Sequence, residues 1–577
     1  RIVGKEFPIA EGRQKRGGLY VGLASDFPWL KLPKEDLGAE GFLRIVHEQQ
    51  LEVYIIAQRP LGVQHGVTSL LDDLGCRWFF PGDVWEVIPN SPTLRVVGDD
   101  RQSPSFPTQR RIWYGFGAYG PCKEDWNDWV RHNRMGGPLE VGIGHSWAGL
   151  NPDKEFADHP QWFALVDGQR QPSKPCYSHP EVVARAKESA LRRADQGAEM
   201  ISMTPPDGLG YCECEACLKA AGVKEVYEEK GSLFGKRADG EVVNVTSETV
   251  FGLANEVARA VAAKHPETLV GCYAYSAYSH PPSFKMHPNV YLQTTTAYRR
   301  TPLTLEEQVS AFGDKTDQLG IREYYSVYQW DWDYADPGKM TPDVLKHDLS
   351  QFHNWGVTAV NAEASNNWAA RGLGYYVASR LLWDVGADTD TIVKDFYERA
   401  FGPAALPMER YYARWYGPSV AVFTDPNELP ERVKYHEKGK HNLDALRGAY
   451  RDLDEALRLA DGDEAIVARI DHLRMYLHYL LLRYRLEQAE ATGDKAQILA
   501  AIGEETTYGA KLTYTNMLHT RPLLGKAFLR RFRQHAELLE DHPDAQQKTG
   551  PWRRLAEPPT HEELNQLWRV DREFLGL

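Results

Sequence analysis

Between residues 110 and 362, short apolar runs alternate with stretches whose apolar residues recur every three or four positions. The runs at 110–114, 140–145, 199–203, 269–275, 289–294, 322–327 and 357–362 read as strands. The spans 180–196, 246–264, 304–318, 343–354 and 371–382 carry helical spacing. Strand–helix alternation of this kind signals βα units around a parallel sheet. Seven strands with helical crossovers over ~300 residues fit an α/β fold of the TIM (β/α)8-barrel type better than an open sheet. The missing eighth strand is expected near Trp162-Phe163-Ala164-Leu165.

The flanks are patterned differently. Residues 18 to 100 read as a small α/β unit, with strands at 41–44 and 52–57. A helix at 66–74 places Val67, Leu70, Leu71 and Leu74 on one face and stops at Gly75, a natural residue to follow a helix end. Beyond about 430 the chain turns helical: Ile466, Ile470, Leu473, Leu477, Leu480 and Tyr484 form one apolar stripe, which is ordinary core packing. At 577 residues the chain is too long for one core. The expected division is an α/β domain over 1–105, a barrel over 106–425 and a helical domain over 426–577.

Composition narrows the partners. The 80 acidic residues outnumber 67 basic ones for a net charge of −13, which argues against nucleic acid. No run of ~18 apolar residues is present to span a membrane. The chain opens at Arg1 and not at Met, as a trimmed exported protein would, so a secreted, periplasmic or cell-surface location is expected, with the cytoplasm also compatible. The 16 Trp and 29 Tyr serve either large cores or a sugar site, where flat rings cover pyranose C–H faces. Oligomeric state is not legible.

The stretch from Gly66 to Gly82, ending in Arg77-Trp78-Phe79-Phe80-Pro81-Gly82, resembles the small domain that precedes the barrel in hexosaminidases and α-glucuronidases. Three further pieces together resemble one bacterial family. They are Gly144-His145-Ser146-Trp147; His159 to Leu165 with Cys176-Tyr177-Ser178-His179-Pro180; and Pro206-Asp207-Gly208 leading into Cys212, Cys214 and Cys217. The family is the domain of unknown function DUF4838, part of which became glycoside hydrolase family 163. The resemblance, over roughly residues 40 to 400, implies a retaining endo-β-N-acetylglucosaminidase acting on N-glycans. An exo-glycosidase or α-glucuronidase-like enzyme on the same barrel, or a sugar-binding protein without activity, stays open, because barrels change chemistry through their loops.

Barrel active sites lie at the C-terminal ends of the strands, which selects among the acidic residues. Met200–Met203 leads to Asp207, and 357–362 delivers Glu363. Glycoside hydrolysis needs two carboxyl groups, so Asp207 is the expected acid and Glu363 the group at the anomeric centre. As Pro-Asp-Gly is also ordinary turn chemistry, Glu213 is the reserve acid. Whether Glu363 or a substrate acetamide attacks stays open. His145, Trp147, Tyr275, Tyr325, Trp330, Asp331, Asp333, Asn361 and Trp368 are expected to bind sugar; Tyr298 is a weaker candidate and Arg111 is expected to be structural. Cys176, Cys212, Cys214 and Cys217 have the spacing of a closed structural zinc site or contain a disulfide. No cofactor is expected for catalysis.

Overall fold

The computed structural model describes residues 1–12, 17–33, 36–115, 117–327, 335, 337–417, 436–437, 440–525 and 527–577. Near the N-terminus, strands β1 (Gly18–Leu23), β2 (Phe42–His47), β3 (Glu52–Ala57) and β4 (Asp100–Gln102) form a sheet in the order β1-β3-β2-β4. Helix α1 (Pro60–Asp73) covers it. The helix begins earlier than its apolar spacing predicts because Pro60 supplies a ready-made first turn. It ends where Gly75 takes a φ of 92°.

The central sheet is built from β5 (Gln109–Tyr114), β8 (Met200–Ser202), β9 (Leu269–Ser276), β10 (Val290–Arg299), β11 (Leu319–Tyr324) and β12 (Ala359–Ala364), all parallel. Their order is β8-β9-β10-β11-β12-β5. The order follows the sequence without a reversal, and the last strand pairs with the first. A doubly wound sheet would reverse direction at a switch point, so this sheet curls as a barrel wall does. The expected second strand, 140–145, is irregular. It nevertheless runs beside β8: the Gly144 amide and carbonyl both bond Ser202 Oγ (3.1 and 2.5 Å), and the Ser146 amide donates to Thr204 O. On its other side, Arg111 and Gln109 of β5 donate to the Val141 and Leu139 carbonyls.

The wall among the described residues is therefore six regular strands and one extended segment, a part-barrel and not the expected eight strands. Trp162–Leu165 is not the missing strand. Phe163–Val166 (β6) pairs antiparallel with Gln169–Pro175 (β7) in a hairpin outside the wall. Its turn is Asp167-Gly168, both with left-handed φ (50° and 74°), the two-residue connection that an Asp-Gly pair favours.

Helix α2 (Gly120–His132) follows β5 and helix α4 (Glu215–Ala221) follows the loop after β8, while α3 (Pro180–Asp195), α5 (Val245–Ala262), α6 (Leu305–Gly313), α7 (Pro342–Asn354) and α8 (Trp368–Trp383) fall where the periodicity predicts them. Strands β11 and β12 are each displaced by two or three residues from their predicted starts, which makes Glu363 the second-to-last residue of β12. Val141, Met200, Tyr291 and Ala359 close the bottom of the barrel as an apolar plug. The long helix Glu464–Thr492 carries the predicted stripe, and its buried residues join one continuous core with α8, Thr389–Phe401 and Ala405–Tyr416. The expected boundary near 425 lies outside the described residues. Among the described residues no helix is long and apolar enough to cross a membrane.

Candidate active site

Side-chain alternation decides what each strand offers to the interior. On β5, Ile112 and Tyr114 pack outward against the helices, while Arg110 is buried with Glu40 (2.6 and 2.8 Å) from the N-terminal sheet region. That leaves Arg111, Trp113 and the following Gly115 for the interior. On β12, Val360, Ala362 and Ala364 join the outer core, so Asn361 and Glu363 turn inward. Arg322 is the key neighbour. Its guanidinium lies 4.5 Å from the Trp113 ring centre, 5.2 Å from Tyr273 and 5.3 Å from Tyr324. Rings from three strands thus converge on one cation.

Arg322 Nη2 donates to Glu363 Oε2 in a short ion pair, and both side chains are largely buried. Burial raises the Glu363 carboxyl above its ordinary range, Arg322 and His145 pull it down, and Asp207 pushes it up. The second oxygen, Oε1, lies so close to Gly115 that a Cβ there would stand 2.3 Å from it. Gly115 is thereby a cradle for the carboxylate, and its amide donates to Ala364 O.

Asp207 sits past the end of β8, exposed, and its Oδ1 accepts from the Gly208 amide (2.8 Å) and the Tyr275 hydroxyl (3.2 Å). Burial raises the Tyr275 hydroxyl, and the charges of Asp207 and Glu363 add to the rise. From behind, Lys174 Nζ donates to the Asp207 carbonyl (2.8 Å), its ammonium lowered to about 8 by burial. His145 is exposed beside this cleft, with its ring 6.3 Å from that of Tyr275. Its Nδ1 donates to the Pro205 carbonyl (2.6 Å), since a carbonyl can only accept, and this leaves Nε2 of the neutral ring as an acceptor. Tyr298 and Tyr324 continue the aromatic rim beside Tyr275.

Four expected sugar-binding residues lie elsewhere. Trp368 is fully buried, its Nε1 donating to Tyr114 and its ring packed against Trp129 and Tyr375, because α8 is buried on every side. Tyr325 follows the end of β11 and turns into the outer core. Trp147 packs on Leu150, Trp162, Phe163 and Val182. Asn361 faces inward but lies deep, donating to Gln293 (3.1 Å) beneath the carboxylates. Trp330, Asp331 and Asp333 lie outside the described residues. Glu213 stands between two buried cysteines, its amide bonded to Leu165 O, on the hairpin side of the loop.

Arg322, Trp113, Tyr273, Tyr324 and Gly115 were not anticipated. For Arg322 and Tyr324 the signal is Ile321-Arg322-Glu323-Tyr324, charged residues inside a strand that should be apolar on both faces. Arg322 serves the interior, and Glu323 on the opposite face is buried with Thr296 and Lys339.

Cys176, Cys212, Cys214 and Cys217 are buried together below this loop, with Cys176 Sγ 3.6, 3.6 and 3.7 Å from the sulfurs of Cys212, Cys214 and Cys217. They are the group among the described residues able to hold a metal ion.

A family model described as "Domain of unknown function (DUF4838)" matches residues 80–414, more than half of the chain. The chain belongs to the DUF4838 family. No curated protein matches it. Among solved structures, this DUF4838 chain resembles BtGH115A, a family GH115 4-O-methyl-α-glucuronidase with specificity for decorated arabinogalactans. Identity is 12%, over 88% of this chain and 74% of that one, at a TM-score of 0.57. The likeness is one of fold. A family 89 glycoside hydrolase from Clostridium perfringens, solved with GlcNAc-α-1,4-galactose, is 11% identical over 83% of this chain and 62% of its own, at a TM-score of 0.42.

Proposed function

We propose that this DUF4838 protein is a glycoside hydrolase whose working carboxyl groups are Asp207 and Glu363. One observation carries the reading: Glu363, paired with Arg322 and cradled by Gly115 near the end of β12, lies at the same end of the parallel sheet as Asp207, which follows β8 and is bonded by Tyr275. Asp207 protonates the leaving glycosidic oxygen. Glu363, whose carboxylate is paired with Arg322, attacks or stabilises the anomeric carbon, and Asp207 then takes a proton from the water that completes hydrolysis. Tyr275, Tyr298 and Tyr324 supply faces for sugar rings, and His145 Nε2 accepts from a hydroxyl.

The finer reading is a retaining endo-β-N-acetylglucosaminidase acting on N-glycans, supported by the motif resemblance around Asp207. It is tested by incubating the protein with N-glycans and with a panel of aryl glycosides, and reading the products by mass spectrometry. Release of intact glycans with one N-acetylglucosamine left behind supports it. Release of terminal uronic acid or single sugars instead assigns an exo-acting enzyme to the same carboxylates. A second reading, sugar binding without cleavage, is favoured by one feature: Asp207 is exposed and its Oδ1 is already occupied by its own turn. Glycan binding with no product from any substrate would decide for it.

A further inference from the structure

The four buried cysteines take no part in that chemistry. Two disulfides would bring the sulfurs together in close pairs and separate the pairs. Here Cys176 Sγ is nearly equidistant from three others, at 3.6, 3.6 and 3.7 Å, and all four lie within 4.8 Å of one another. That is the shape of a tetrahedron. Zinc–thiolate bonds of about 2.3 Å predict an edge of about 3.8 Å, which these distances match. The surroundings suit thiolates too. The Leu165 amide donates to Cys212 Sγ (3.3 Å), and Arg170 Nη1 approaches the same sulfur (3.7 Å) while bonding the Phe163 carbonyl (2.6 Å). Donors of this kind stabilise and orient metal-bound sulfur. Four sulfur ligands leave no open position, so the site is closed to substrate.

We infer that Cys176, Cys212, Cys214 and Cys217 bind one structural zinc ion that fastens the Asp207 loop to the hairpin β6–β7. The ion joins distant pieces of chain. Cys176 directly follows the hairpin, Cys212 and Cys214 close the loop that begins at Thr204, and Cys217 stands in the first turn of the helix Glu215–Ala221. Between them the loop already rests on the hairpin: Ser173 Oγ donates to Gly210 O (3.0 Å), Lys174 to Asp207 O (2.8 Å) and the Glu213 amide to Leu165 O (3.0 Å). Zinc makes these contacts permanent and fixes where Asp207 stands. The ion's presence does not depend on the proposed activity, so the two can fail separately.

Elemental analysis of the full chain, purified without chelator, tests the site. The expected result is one zinc per chain, with X-ray absorption showing four sulfur neighbours at about 2.3 Å. Exchange with cobalt should give the intense visible bands of tetrahedral thiolate coordination. Cys217→Ser and Cys176→Ser should lose the zinc, whereas Cys76→Ser, away from the cluster, should keep it. Chelation should expose the loop around residues 204–217 to limited proteolysis whether or not a substrate has been found. The inference is overturned if the folded protein carries no zinc and its four thiols titrate freely, if peptide mapping finds them in disulfides, or if iron occupies the site.

Discussion

Gly115→Ala perturbs the proposed centre with a single methyl group. The new Cβ would stand 2.3 Å from Glu363 Oε1, 3.2 Å from Cδ and 3.3 Å from Cγ, whereas ordinary contact begins at 3.4 Å. Oε1 must therefore retreat by 3.4 − 2.3, about 1 Å, while Oε2 remains tethered to Arg322. The carboxylate has to rotate about that tether. A misplacement of about 1 Å in a reacting group costs about 10²-fold in rate, or about 2.7 kcal/mol of barrier at 1.36 kcal/mol per tenfold. The fold should tolerate the change. Gly115 is not in the left-handed region, and the atom that must yield is the end of a flexible side chain. Alanine also restricts the unfolded chain, so stability should stay within about 1 kcal/mol of the parent. The assay is kcat/KM on the best substrate of the glycoside panel, beside a urea melt. A variant with parental stability and parental turnover would refute the placement of Glu363 at the reacting centre.

Other variants probe the rest of the site. In Arg322→Gln the Glu363 carboxyl loses its largest lowering influence and rises further; because the ionised form is the active one, the acid limb of kcat/KM against pH should move to higher pH, and an unmoved limb contradicts the pairing. Asp207→Asn should slow substrates with poor leaving groups by about 10²–10⁴-fold and those with activated aryl groups far less, since good leaving groups need little protonation; an equal loss on both removes the acid role. His519 is buried and neutral, with its pKa depressed to about 3, accepting from the Asn366 amide (3.1 Å) and donating to Gly117 O (3.0 Å). His519→Leu leaves that buried amide unpaired and should cost about 1–3 kcal/mol in a urea melt; no loss would show that the bridge between the loops after β5 and β12 is dispensable.

How much was legible in the sequence depends on what each residue answers to. The place of Glu363 near the end of an inner strand could be found because an apolar run ends in a lone carboxylate, and the run's burial is a local property. The helices were legible for the same reason. Trp368 and Tyr325 misled because nearness to a strand end does not say which way a ring turns; here the outer helices, and not the cleft, claim them. Arg322 was overlooked because its role depends on Trp113, Tyr273 and Glu363, which come from three other strands. The eighth strand was misplaced at Trp162–Leu165 although Asp167-Gly168, a hairpin turn, was in plain view. The cysteine spacing suggested a metal or a disulfide equally, and the inference of zinc rests on the positions of the sulfurs, which the spacing does not give.

The most direct test of the central claim is turnover by Glu363→Gln. The amide keeps the shape of the side chain and still accepts from Arg322, but it carries no charge to place at the anomeric carbon. With the best substrate of the panel, kcat should fall by at least ~10²-fold while substrate affinity and the melting curve stay near parental values. Turnover close to the parental value in a correctly folded Glu363→Gln protein would contradict the assignment of Glu363.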